Sequence, residues 1–81
     1  MSLLNEQIDV RSTAGGNPAQ FTWRGRTFRV LRIMGDWSPH PEAPDTRLIR
    51  VSAESEAGEP SIIDIRRDAA SDCWTMRRQW N

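Results

Sequence analysis

Ala19-Gln20-Phe21-Thr22-Trp23-Arg24-Gly25-Arg26-Thr27-Phe28-Arg29-Val30 is the stretch that decides the fold class. Apolar and polar side chains alternate on both sides of Arg24-Gly25, the period of two expected of a half-buried strand. Reading Arg24-Gly25 as a two-residue hairpin loop fixes a register: Trp23 faces Arg26, Phe21 faces Phe28 and Ala19 faces Val30. An aromatic pair beside a Trp–Arg pair makes a cross-strand ladder, each pair contributing roughly 0.2–1 kcal/mol. Beyond Val30 the alternation slips, because Val30, Leu31, Ile33 and Met34 cannot all share one face. A bulge near Leu31-Arg32, or burial of both faces, resolves the conflict.

The same period recurs on either side. Residues 7–11 place Ile8 and Val10 on one face, and the stretch 12–18 is rich in the glycine and asparagine that turns require. Residues 35–46 are expected to form a Pro-rich loop, since Pro39, Pro41 and Pro44 remove ladder donors; Trp37 and His40 fall within it. Residues 47–55 read as a strand with Ile49, Val51 and Ala53 inward, and residues 56–60 as a turn. Residues 61–67 form a strand carrying Ile63 and Ile65, with Ile62 opposite them. Residues 68–72 close another hairpin, with or without one short helical turn, and residues 73–80 form a last strand with Trp74, Met76 and Trp80 on one face. The prediction is a mostly-β single domain over residues 1–81, with residues 1–5 free to fray. It is an antiparallel meander of five to six strands, curled into an SH3-like half-open barrel or a strongly bent sheet.

Composition narrows the function classes. Eleven arginines, no lysine and eleven carboxylates give a net charge of zero, which argues against a strong non-specific nucleic-acid binder. Arginine-only usage supplies planar forks and stacking partners, and it also follows from GC-rich codon usage. The charge is uneven: residues 18–36 hold Arg24, Arg26, Arg29 and Arg32 against Asp36, while residues 37–60 hold five carboxylates against Arg47 and Arg50. Cys73 is the single cysteine, so no intrachain disulfide forms. Residues 1–10 lack a basic start with an apolar run, and no stretch reaches the roughly 18 apolar residues of a membrane span. The expectation is a cytoplasmic protein with no membrane partner.

The opening Gln7-Ile8-Asp9-Val10, the run Asn17-Pro18 through Phe21-Thr22-Trp23-Arg24-Gly25-Arg26, the Phe28-Arg29-Val30 step, Trp37, and the closing Arg67-Asp68 to Trp74, Met76 and Arg78 resemble a small, uncharacterised actinobacterial β-domain family. Phe-x-Trp-Arg-Gly-Arg is its specific piece. Genes of that family often lie near those of error-prone, Y-family translesion DNA polymerases, so the resemblance implies an accessory role in DNA repair and carries no catalytic residue with it. The chain departs from the pattern at Ser38-Pro39-His40-Pro41-Glu42-Ala43-Pro44-Asp45, where the family usually has further tryptophans and basic residues.

Candidates for chemistry are few. His40 is the only histidine and has no acid partner in register, and Cys73 reads as a half-buried structural thiol. One His and one Cys do not make a zinc site. Asp64, Asp68 and Asp72 are spaced by four but lie on a strand and a turn, and Gly15-Gly16 lacks the lysine and helix of a phosphate loop. No catalysis and no cofactor are expected. The candidate interaction surface is Arg24, Arg26, Arg29, Arg32 and Trp37, with Arg47, Arg66, Arg77 and Arg78 able to add a basic strip on the outer face of the sheet. Trp23, Trp74 and Trp80 are expected in the core, with strand arginines tied to Asp9, Asp64 or Glu54; Trp37 is the tryptophan least expected to be buried. The function expected is a non-catalytic adaptor for a protein partner, a polymerase or repair factor. The alternative is direct binding of single-stranded nucleic acid by an Arg/Trp surface, the arginines paired with an exposed Trp37 or Trp80. A homodimer is a further expectation, through exposed strand edges or through residues 42–59 of one chain meeting residues 24–32 of another.

Overall fold

Arg24 and Gly25 take positive φ values of 52° and 73°, the backbone of a type I′ turn whose twist suits two antiparallel strands. They join β2 (Pro18–Trp23) to β3 (Arg26–Trp37), and the ladder runs from Trp23↔Arg26 through Phe21↔Phe28 to Gln20↔Arg29. The expected register is therefore observed, ending one pair short of Ala19–Val30. The Phe21 and Phe28 rings stack at 5.2 Å with an 11° interplanar angle. The guanidinium over Trp23 belongs to Arg24 in the turn, at 4.7 Å, and not to the cross-strand Arg26.

The computed structural model describes residues 3–38, 42 and 45–80. Besides the hairpin it contains β1 (Leu3–Ser12), β4 (Thr46–Ser55), β5 (Pro60–Asp68) and β6 (Cys73–Gln79), all antiparallel to their neighbours. The six-strand expectation is met, and the barrel closes fully instead of remaining half-open. Closure comes from β1, whose C-terminal half pairs with β2 (Val10↔Phe21) and whose N-terminal half pairs with β6 (Ile8↔Trp74 to Leu3↔Arg78). Residues 3–5 thus belong to a strand and are not a frayed end. Inside lie Ile8, Phe21, Trp23, Phe28, Ile49, Val51, Ala53, Ile63, Ile65, Trp74 and Met76. At roughly 25 cal/mol per Å², burying these side chains is the main favourable term for so small a domain.

Five register shifts interrupt the ladders among the described residues, and three of them decide which side chains reach the outer face. The first, at Leu31, lies where the sequence placed one, between the pairs Val30↔Ala53 and Arg32↔Ser52. A second, at Met34, resets the phase again, so β3 continues through Gly35 to Trp37, where a loop was expected. The third lies in β6, where Asp64 pairs with Arg78 and Ile65 with Met76, leaving Arg77 as the extra residue. It turns the strand over, and Trp80, expected in the core beside Trp74 and Met76, is instead half-exposed and bonded through its indole to outer-face Asp64. Residues 69–72 form a turn without a helix, with Asp68 accepting from the Ala70 amide at 3.1 Å.

Candidate interaction face

On the outer side of β3 to β6 the registers align Gly35, Arg50, Asp64 and Arg78 in one row across four strands. Arg32, Ser52 and Ile62 form the row on one side, and Trp37, Leu48 and Arg66 the row on the other. The Trp80 amide donates to the Ile62 carbonyl at 2.8 Å and so extends the first of these flanking rows.

Asp64 organises the face. Although it points away from the core it is only 4% exposed, because neighbouring side chains close over it. Its carboxylate accepts from Arg50 Nε at 2.8 Å, Arg50 Nη2 at 3.1 Å and Trp80 Nε1 at 2.8 Å. The bond to Asp64 raises the Arg50 guanidinium above its already high ordinary value. Arg50 lies 4.7 Å from the Trp80 ring centroid and 5.6 Å from that of Trp37, and Arg78 lies 4.8 Å from Trp80. Cation–π contacts of this kind contribute roughly 0.5–1 kcal/mol at exposed sites. Gly35 makes room for Trp37, since a Cβ there would come within 2.9 Å of the indole Cζ3. Between these groups is a shallow depression of about 260 Å³ lined by Trp37, Leu48, Arg50, Asp64, Arg77, Arg78 and Trp80.

The face is positively charged. Glu54 pairs with Arg29 and Asp64 with Arg50, whereas Arg32, Arg66, Arg77 and Arg78 make no carboxylate contact among the described residues.

The five residues singled out from the sequence do not gather. Arg24 is bound to Glu6 of β1, with Nε at 3.0 Å from Oε1, and this contact holds the Glu6 carboxyl below its ordinary value. Arg26 is exposed beside the turn, and Arg29 is neutralised by Glu54. Arg32 and Trp37 alone join the outer-face rows described above, with Trp37 at 40% exposure. The 24–32 and 42–59 segments meet within one chain, through Arg29–Glu54 and through the Thr27 amide on Glu56 at 2.9 Å. Free strand edges are also fewer than expected, because the ring is closed. β3 beyond Arg29 pairs with β4 alone, and two bulges blunt it there. Sequence reasoning named Asp64 as a partner for a strand arginine, which Arg50 is, but placed neither residue at the candidate site. The signal was available: a turn at 56–59 puts these two residues opposite each other, and an aspartate between Ile63 and Ile65 is conspicuous.

The remaining candidates have structural partners. Cys73 Sγ lies 3.6 Å from the Ser71 carbonyl, Asp68 accepts from the Ala70 amide, and exposed Asp72 lies 3.7 Å from Arg67. No group of three metal-ligating side chains occurs among the described residues. His40 lies outside them.

A family model described as a domain of unknown function (DUF6504) matches residues 2–81. The chain belongs to the DUF6504 family. No curated protein and no solved structure matches it. The DUF6504 match spans all six strands, so the outer-face cluster lies within the family's domain and not on an appendage to it. No helix among the described residues of this DUF6504 domain is long and apolar enough to cross a membrane.

Proposed function

We propose that the domain is a non-catalytic adaptor that docks a protein partner on the outer face of β3 to β6. The observation that carries this reading is the prestacked Trp37–Arg50–Trp80–Arg78 cluster over buried Asp64. Tryptophan and arginine dominate interface hot spots, and side chains already held in place lose little entropy when a partner arrives. Arg32, Arg66, Arg77 and Arg78 give the face a sign, so the complementary partner surface presents carboxylates. Asp64, already committed to three donors, is poorly suited to act as a general base. The resemblance of the Phe-x-Trp-Arg-Gly-Arg run to a family encoded beside translesion polymerases points to a repair factor as the partner, in a cytoplasmic setting.

A second reading, binding of single-stranded nucleic acid, is favoured by exposed Trp37 beside the unpaired arginines. It ranks second because two guanidinium groups already sit within 5 Å of the Trp80 ring, which leaves less open π-surface for a base.

The test is calorimetric titration of the nuclease-treated domain with a Y-family translesion polymerase from the same cell, in parallel with a labelled single-stranded oligothymidylate. Docking on this face predicts that Trp37→Ala weakens polymerase binding roughly 30-fold, the effect of a hot-spot tryptophan contributing about 2 kcal/mol, while Arg24→Ala changes it little. Oligonucleotide binding with a steep salt slope that Arg78→Ala reduces would put the nucleic-acid reading first. Binding of neither ligand sinks both.

A further inference from the structure

We infer that one mouth of the barrel, at Arg67, is a binding site for a small oxyanion of the carboxylate or phosphate type. Arg47 on β4 and Arg67 on β5 are direct cross-strand partners, an arrangement in which like charges repel. The fork of Arg47 is answered by Asp36, with Nε at 2.8 Å and Nη2 on the same oxygen. Arg67 has no such answer. Its Nε is buried and has no hydrogen-bond partner, and its Nη2 is 3.7 Å from Asp72, beyond hydrogen-bond reach of a carboxylate that is 82% exposed and screened by solvent. A buried donor left unmatched is costly and rare in native structures.

The surroundings hold the group in place. The Arg67 guanidinium lies over the Trp74 ring, 5.5 Å from its centroid. Gly16, at φ +86°, closes the site from the β1–β2 turn, and a Cβ there would lie 3.8 Å from Arg67 Nη1. A pocket of about 240 Å³, lined in part by Gly16, Asp36, Arg47 and Arg67, opens between these groups. That is several times the volume of a water molecule, about 30 Å³ in the liquid. Of the charged groups lining the pocket, two guanidinium groups face the single carboxylate of Asp36, with solvent-exposed Asp72 outside the lining, and a planar fork is the group that best grips a carboxylate or phosphate. The site is separate from the outer-face cluster and does not depend on it.

The test is titration of the ¹⁵N-labelled chain with sodium phosphate and, in a second arm, sodium acetate, with sodium chloride holding ionic strength constant. The resonances to follow are the Arg67 Nε–Hε group and the Gly16 amide. The expected result is a saturable shift of both, with the tighter arm naming the anion. Arg67→Gln should abolish it. Asp36→Asn, which leaves Arg67 and its Trp74 contact in place, should free the Arg47 fork and tighten binding roughly tenfold. The proposal is overturned if both anions give only the linear shift of chloride, or if Asp36→Asn leaves the dissociation constant unchanged.

Discussion

The barrel carries two clusters built from the same three groups, and they use them in opposite ways. In each, one carboxylate accepts from a tryptophan indole and from an arginine that also stacks on tryptophan. Near the β2–β3 turn the carboxylate is Glu6, reached by Trp23 Nε1 at 3.3 Å and by the Arg24 fork. On the outer face it is Asp64, reached by Trp80 Nε1 and the Arg50 fork. The Glu6 cluster buries its tryptophan in the core and leaves the ion pair in water. The Asp64 cluster buries its carboxylate and leaves the tryptophan and arginine half-exposed. An ion pair in water contributes little, so the first cluster is a polar cap on a core residue. In the second, a charge removed from water holds aromatic and cationic groups in position at the surface.

The sharpest way to break this contrast is to remove each carboxylate. A buried pair broken from one side loses roughly 3–5 kcal/mol, and partial exposure of Arg50 trims this to about 2–3 kcal/mol for Asp64→Ala. Glu6→Ala should leave the urea midpoint within experimental scatter; equal losses in the two variants would erase the distinction. Gly35→Ala comes next. The added methyl displaces the Trp37 indole, costing about 1 kcal/mol and moving the Trp37 Nε1–H resonance, while the Trp23 indole signal stays where it was. Smallest of all is a pH effect. Arg24 holds the Glu6 carboxyl below its ordinary 4.5, so the contact's contribution is present above that value and fades as pH falls through the lower folded value. Thermal scans of Glu6→Gln should therefore show a slightly shallower acid limb than the parent, with the two curves converging at low pH. Should the parent instead gain stability relative to Glu6→Gln on acidification, the assigned direction is wrong.

The elements legible in the sequence are those whose position is fixed by local chemistry. Arg24-Gly25 sets the hairpin because only a short loop with positive φ joins two strands of matching alternation, and the register follows by counting. The Leu31 bulge was visible because three apolar residues in four cannot alternate. The bulges at Met34 and Arg77 were not: one bulge near Leu31 already accommodates Ile33 and Met34 on opposite faces, and an arginine fits either side of a sheet. Missing the Arg77 bulge inverted the assignment of Trp80, and with it the location of the candidate site. Ring closure was likewise hidden, because pairing of β1 with β6 depends on how far the whole sheet curls and on no turn between them. The arginine-rich 24–32 stretch drew notice through its local excess of charge, yet its carboxylate partners Glu6 and Glu54 lie far away in sequence and side by side in space.

The split pairing of β1 has a kinetic consequence. Five of the six seams of the ring join consecutive strands, and the sixth joins Leu3 to Arg78. That seam raises the contact order, and its closure entropy is recovered only when the sheet has already curled. Zipping from the hairpins and sealing at β1–β6 is the folding order this predicts. A circular permutant with a short linker joining residue 81 to residue 1, opened at Ala57-Gly58, would turn β1–β6 into a hairpin and make β4–β5 the late seam. Closure entropy changes slowly with loop length, so the permutant should keep most of its equilibrium stability while the sequence of events in folding is rearranged.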